Sequence, residues 1–137
     1  MREQDTFQKI YAGELPSRKV YDDGEFFAIL DINPLSDGHT LVIPVSAPDK
    51  IYDMSDENFA KFFLVAKKIA KNMEEKLGTR IGFAVEGLDV PHAHIHLVPL
   101  YEKEKAEKGD PLQLHHGYPV DTSAENLDRL EKLLASK

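Results

Sequence analysis

The longest regular pattern of apolar and polar residues lies near the middle of the chain. Between residues 55 and 77, apolar side chains recur at every third or fourth position, and the opposite face is rich in lysine and glutamate. This spacing is typical of an amphipathic helix of about five turns. Ser55 suits its N-cap, and Gly78 suits the C′ position that follows its last turn. The pattern therefore predicts a long helix with one buried face.

Shorter apolar stretches predict strands on both sides of this helix. Asp22-Asp23-Gly24 is a turn signal, so the two stretches beside it are expected to form a hairpin. The predicted strands are 19–21, 25–32, 39–43, 80–85 and 90–100, and further helical spacing occurs at 7–13 and 121–136, the latter capped near Thr122 or Ser123. This order indicates an α+β fold, in which a mostly antiparallel five-stranded sheet carries the long helix packed on it.

The last predicted strand carries an unusual concentration of histidine. His92, His94 and His96 alternate with apolar residues, so the pattern predicts three imidazoles on one face of the strand. Imidazoles are poor core material, because each has two ring nitrogens that need hydrogen-bond partners. The three histidines are therefore the leading candidates for chemistry.

Composition narrows the class of protein. The chain has 137 residues, 42% hydrophobic and 30% charged, which fits one globular domain spanning 1–137. The formal net charge of -7 argues against a nucleic-acid partner. The absence of cysteine excludes disulfides and thiolate metal ligands. No signal peptide or apolar run of transmembrane length is recognisable, so we expect no membrane partner and a cytoplasmic location.

The residues alone leave three interpretations of the histidines open. They could be structural or exposed, although three on one strand face argue against this interpretation. They could hold a metal ion, with further ligands from Asp31, Asp37 or His39. They could instead act at phosphorus, where a neutral imidazole attacks a phosphate and neighbouring imidazoles stabilise the developing charge.

The run His92-Ala93-His94-Ile95-His96-Leu97-Val98 resembles the signature of the histidine triad (HIT) family, in which three histidines alternate with apolar residues. Further blocks resemble the same family at the expected spacing: 7–16, 30–34 and 38–44. The resemblance covers roughly residues 6–100, so residues 101–137 are expected to be a C-terminal extension.

The resemblance implies a fold that pairs into a homodimer, a purine nucleotide substrate and reaction at the α-phosphate. It assigns the nucleophile to His94, and phosphate binding and orientation of the nucleophile to His92, His96 and His39. It assigns Asp31 to the ribose hydroxyls. A group of apolar residues is matched to the pocket for the base: Phe7, Ile10, Leu15, Ile29 and Ile32. Core packing remains an equal alternative for Ile29.

The sequence departs from the family pattern in two places. Many members hold zinc through two N-terminal cysteines, a histidine after the Ile-Pro pair and a triad histidine. The corresponding positions here are Asp5, Gln8 and a residue near Ala47, so we expect no zinc site and no cofactor. The turn Glu86-Gly87-Leu88-Asp89 is short and lacks the usual Asn, Gln and Ser, which affects recognition of the leaving group.

Taken together, these features predict a Hint-like nucleotide phosphoramidase or hydrolase that works through a covalent nucleotidyl-histidine. Three alternatives remain open. One is a dinucleoside polyphosphate hydrolase of the Fhit-like type, and another is a nucleotide-binding regulatory protein with incidental turnover. The third is a metal-binding module.

Overall fold

A computed structural model describes residues 5–46, 48–85, 92–101 and 120–135. Within these residues the chain forms five strands and three α-helices. The helices are α1 (Thr6–Tyr11), α2 (Asp56–Leu77) and α3 (Ala124–Leu134), and a short 3-10 helix spans Ile51–Asp53. The strands are β1 (Lys19–Asp22), β2 (Phe26–Leu30), β3 (Thr40–Pro44), β4 (Ile81–Ala84) and β5 (Ile95–Pro99).

The five strands form one antiparallel sheet in the order β1-β2-β3-β5-β4. Strand β5 therefore lies between β3 and β4, and α2 makes the connection from the centre of the sheet to its edge. The predicted α+β fold with an antiparallel sheet and a long packed helix is confirmed.

The two faces of the sheet are covered by different elements. One face packs against α2 and α3 in the main core. The other face carries a smaller buried cluster beneath α1: Phe7, Phe27, Ile29, Leu41 and Ile43. Because β2 and β3 are covered on both faces, all five residues of each strand are buried. Alternate residues of these central strands therefore point into different cores.

Local sequence signals explain how α2 begins and ends. The Ser55 side chain accepts a hydrogen bond from the backbone N–H of Asn58 at 3.2 Å. Gly78 adopts a φ of 71°, the left-handed conformation that favours glycine at a helix end. The predicted Ser55 cap and Gly78 stop are both confirmed, and α3 is capped by Ser123 in the same way.

The predicted hairpin is confirmed at the turn between β1 and β2. Gly24 has a φ of 89°, and the Asp23 carboxylate accepts hydrogen bonds from the backbone N–H groups of Glu25 and Phe26. Burial alone would raise the pKa of Asp23, but these hydrogen bonds and one from Tyr21 outweigh it and lower the pKa. Burial and the same contact raise the pKa of Tyr21 to about 12.

The predicted histidine strand over 90–100 is wrong in its extent. Strand β5 begins only at Ile95, so His92 and His94 precede it and only His96 lies within it. The reason is tertiary, because the Ala93 N–H bonds to the carbonyl of Pro48 at 3.3 Å instead of to a neighbouring strand. The turn at 86–89 and the histidines at 115 and 116 lie outside the described residues.

Helix α3 is part of the main core, although it lies in the segment expected to be an extension. Leu130 and Leu134 are 1% and 2% exposed. The Asn72 side chain donates to the backbone carbonyl of Leu134 at 3.0 Å, which ties α3 to α2. None of the helices in the described part of the chain is long and apolar enough to cross a membrane.

Candidate active site

The candidate site lies on the α1 side of the sheet, where β2, β3 and β5 come together. Asp31 and His39 extend the β2–β3 pairing by one step, since the Asp31 N–H donates to the His39 carbonyl at 3.0 Å. His96 lies opposite Leu41 on the neighbouring strand. Strand alternation therefore places Asp31, His39 and His96 on the same face as the buried cluster beneath α1.

The His94 ring is held by a backbone carbonyl. Its Nδ1 lies 2.8 Å from the carbonyl oxygen of His92, and an oxygen of this kind can only accept, so Nδ1 carries the proton. In the neutral ring Nε2 then carries the lone pair. Nε2 makes no hydrogen bond to any residue that the structure describes, although His94 is only 3% exposed. The geometry therefore presents one basic nitrogen in a single tautomer.

Aromatic contacts fix the plane of this ring. Phe7 of α1 meets His94 edge to face, with ring centroids 5.1 Å apart. His96 meets the same ring in a similar geometry, with centroids 5.0 Å apart. The nucleophile candidate therefore has little freedom to rotate away from the orientation that its Nδ1 hydrogen bond selects.

His39 and His96 form a directed pair. The Leu35 N–H donates to His39 Nδ1 at 3.0 Å, so a neutral His39 carries its proton on Nε2. This nitrogen lies 3.0 Å from His96 Nδ1, to which it donates. A neutral His96 then carries its own proton on Nε2. A single backbone amide therefore sets the tautomers of both rings.

The loop that carries the Leu35 amide is anchored from several directions. The buried Ser36 hydroxyl donates to the carbonyl of Pro99 at 2.7 Å. The carboxylate of Asp37 accepts from Asn126 at 2.7 Å and from Arg129 at 3.1 Å, both on α3. Asp37, which the sequence offers as a metal ligand, is therefore engaged with α3. The contacts hold the loop against the end of the sheet.

His92 is engaged at both ring nitrogens. Nδ1 lies 2.8 Å from Oδ2 of Asp5, and Nε2 lies 2.8 Å from the carbonyl oxygen of Pro44. The ring meets Phe7 edge to face, with centroids 5.7 Å apart. His92 therefore differs from His94 and His96. Its side chain is anchored within the protein, while its backbone carbonyl orients His94.

Asp31 remains well placed to contact a substrate. Its Oδ1 accepts from the Asn33 N–H at 2.8 Å, and its Oδ2 lies 3.6 Å from His39 Nε2. The side chain is 16% exposed. An ionised carboxylate can accept further hydrogen bonds from hydroxyl groups, which is the chemistry expected for this residue.

The apolar residues expected around the base are not all brought together. Phe7 and Ile29 lie in the buried cluster beneath α1, and Ile10 packs against it. Leu15 and Ile32 lie at the surface, 39% and 74% exposed, and are not part of that cluster. Ile29 is therefore a core residue, in agreement with the alternative interpretation of this position as core packing.

Sequence reasoning missed three partners of the histidines: the Asp5 carboxylate, the Pro44 carbonyl and the Leu35 amide. Asp5 had a recognisable signal, because an acidic N-cap followed three residues later by glutamine is a capping-box pattern. That box is present, with reciprocal Asp5–Gln8 hydrogen bonds of 2.9 Å. The two backbone groups have no side-chain signature, so only the fold reveals them.

Comparisons with known proteins identify the family of the chain. The HIT domain model matches residues 12–103. The Bacillus subtilis protein named "Protein hit" is 38% identical over 104 residues, which are 71% of this chain and 71% of that protein. The adenosine 5'-monophosphoramidase HNT1 of Saccharomyces cerevisiae is 33% identical over 136 residues, 96% of this chain and 80% of that protein.

Solved structures give the same assignment. A Hit-like protein from Bartonella henselae superposes with a TM-score of 0.77 at 26% identity, covering 97% of this chain and 95% of that one. A zinc-bound histidine triad family protein from Mycobacterium smegmatis superposes with a TM-score of 0.73 at 31% identity, covering 93% and 91%. The chain belongs to the HIT family.

The residues at the expected zinc positions do not fit zinc. Structural zinc takes four donors from cysteine, histidine and carboxylate side chains. Here Asp5 is bonded to His92, and the Gln8 side chain accepts from the Asp5 N–H. Alanine at position 47, outside the described residues, offers no ligand. We therefore derive no step through zinc.

A second acidic and histidine cluster also fits a metal poorly. Ligand atoms of Asp31, His39 and His96 all lie within 4.8 Å of one another. However, His39 Nδ1 accepts the Leu35 N–H, so binding a metal through Nε2 would require a fully deprotonated ring. Neutral imidazole is the usual histidine ligand, and this donor set therefore favours hydrogen bonding over coordination.

Proposed function

We propose that this protein is a nucleotide hydrolase that acts at the α-phosphate of purine nucleoside 5'-phosphoramidates or related nucleotide conjugates. The observation that carries the proposal is the 2.8 Å hydrogen bond from His94 Nδ1 to the His92 carbonyl. It leaves a basic Nε2 on a ring fixed by its neighbours, as a nucleophile at phosphorus requires.

In the proposed first step, His94 Nε2 attacks the α-phosphorus and a phosphorus–histidine bond forms. The phosphorus–nitrogen bond of the substrate breaks, and the leaving amine takes the electron pair and a proton. This proton comes from solvent, while His96, whose Nε2–H is set by the hydrogen bond from His39, donates to a phosphate oxygen as charge develops. Water then attacks phosphorus, the phosphorus–histidine bond breaks, and the nucleoside monophosphate leaves while one proton of the water passes to solvent. His94 regains its original tautomer.

The relatives support this substrate class. HNT1 proteins of Saccharomyces cerevisiae and Candida albicans are named adenosine 5'-monophosphoramidases, and they are 33% and 29% identical over 96% and 93% of this chain. In this chain we assign the ribose hydroxyls to Asp31. We assign the apolar contact to the base to Ile10, which packs against the cluster, and to the exposed Leu15 and Ile32. Phe7 contacts the rings of His92 and His94.

We also propose that two copies of the chain pair. Strand β4 is an edge of the sheet, and an unpaired edge is a natural surface for association. Phe83 on this strand and the adjacent Val85 are 41% and 42% exposed. These apolar side chains support the homodimer that the family resemblance implies.

A substrate panel tests the proposed function. The protein is given adenosine 5'-phosphoramidate, a tryptamine phosphoramidate of adenosine, diadenosine tri- and tetraphosphate, and AMP as a binding probe. We expect fast release of AMP from the phosphoramidates. Faster turnover of the dinucleotides would establish the Fhit-like alternative, and AMP binding without any turnover would establish a regulatory binding protein. Either result would contradict the proposal.

A further inference from the structure

One carboxylate joins the start of α1 to the histidine segment. Asp5 Oδ1 accepts the Gln8 N–H at 2.9 Å and so caps the helix. Asp5 Oδ2 lies 2.8 Å from Nδ1 of His92, 87 positions along the chain. The two oxygens of this side chain therefore make different contacts. One caps the helix that follows it, and the other binds a residue far away in the sequence.

The Asp5–His92 pair is buried. The His92 side chain is 0% exposed and the Asp5 side chain 8%. The Pro44 carbonyl accepts from the second ring nitrogen, so both nitrogens face oxygen acceptors. Both acceptors are satisfied when each ring nitrogen of His92 carries a hydrogen. We infer that His92 donates from both nitrogens, to one carboxylate and one carbonyl.

We propose that Asp5 is a positioning residue for His94, acting through His92. This inference rests on the proposed function. Asp5 and Pro44 fix the ring of His92. Because the ring is fixed, the backbone carbonyl of His92 is held in place as well. That carbonyl accepts from His94 Nδ1 and so selects the tautomer of His94. Phe7, two residues after Asp5, contacts both rings. The Asp5–His92 ion pair thus attaches α1 to the histidine segment, and this attachment needs no metal.

The energetic consequence follows from burial. Removing one partner of a buried ion pair leaves the other charge without compensation, which is far more costly than losing an exposed pair. The His92 ring must then change its hydrogen bonding or move. Either change disturbs the backbone at His92, and a displacement of about 1 Å at a reacting group can lower a rate about a hundredfold.

Two substitutions separate the tasks of Asp5. Asp5→Ser keeps a good N-cap for α1, but its side chain is neutral and too short to reach His92. Asp5→Asn keeps the size of the side chain, and its oxygen can still cap α1 while its NH₂ group faces His92. The matched control is Ser55→Ala, which removes the N-cap of α2 at a position away from the histidines.

We expect Asp5→Ser to lower kcat for the phosphoramidate tenfold to about a hundredfold, with little change in KM. Asp5→Asn should lower kcat less, because the position of His92 is kept. Ser55→Ala should reduce thermal stability and leave kcat unchanged. Wild-type kcat in both Asp5 variants would overturn the proposal, as would a loss in Ser55→Ala equal to that in Asp5→Ser.

A measurement without substrate keeps this inference separate from the proposed function. Nitrogen-15 NMR of the histidine rings at neutral pH reports which nitrogens carry protons. We expect His92 to be protonated at both nitrogens and His94 at Nδ1 alone in the wild type. In Asp5→Asn, His92 should lose one proton, and in Asp5→Ser, His94 should populate both tautomers. A single, unchanged His94 tautomer in Asp5→Ser would overturn the inference even if phosphoramidase activity is present. The expected pattern would support it even if that activity is absent.

Discussion

Three residues of one type take three different roles here because their partners differ. His94 donates to a backbone carbonyl and keeps a basic nitrogen. His96 accepts from another histidine. His92 lies within hydrogen-bond distance of an oxygen at both ring nitrogens. The alternation of histidine with apolar residues indicates that the group is functional, but it carries no information about these partners. The role of each histidine therefore depends on which carbonyl, carboxylate or ring nitrogen the fold places beside it.

At this scale, Asp31 gives the clearest prediction about substrate recognition. We expect Asp31→Asn to raise KM about tenfold for a ribonucleoside phosphoramidate, since a hydrogen bond to a charged group contributes about 1.5–3 kcal/mol. The 2'-deoxy analogue lacks one of the hydroxyls and should show a smaller change. Steady-state kinetics with both substrates make the test. An equal rise in KM for the two substrates would contradict ribose recognition by this carboxylate.

At the scale of elements, predictability follows from whether the controlling interactions are local. The long helix α2 was predictable because its periodicity, its Ser55 cap and its Gly78 stop all lie within it. The start of β5 was not, because the bond between Ala93 and Pro48 that ends the pairing joins distant parts of the chain. The same holds for the Pro44 carbonyl and the Leu35 amide, the backbone partners of His92 and His39, which no sequence pattern marks.

Helix α3 provides the prediction that belongs to this scale. Leu130 is 1% exposed and packs in the main core, so Leu130→Ala should lower the free energy of unfolding by about 2–5 kcal/mol. Leu64 lies on α2 but is 63% exposed, and Leu64→Ala serves as the control, with an expected change within about 0.5 kcal/mol. Denaturant unfolding measures both. Equal changes in the two variants would show that α3 is not part of the core.

At the scale of the whole molecule, the sheet gathers groups that are far apart in sequence. Asp5 at the start of the chain, His39 beside β3 and the histidines around β5 meet on one face. Helix α3, which follows the family motif, reaches back to the loop that carries the Leu35 amide. The α+β class and the antiparallel sheet were predictable from the order of elements, whereas the meeting of these groups required the strand order β1-β2-β3-β5-β4.

The most direct test of the central claim compares wild type with His94→Ala on adenosine 5'-phosphoramidate, with intact-mass analysis after rapid acid-free quenching. The account predicts AMP release and a transient nucleotidyl adduct on the wild type. It predicts neither in His94→Ala, which should still bind AMP and unfold at a similar temperature. Undiminished AMP release by a folded His94→Ala protein would contradict the assignment of His94 as the nucleophile.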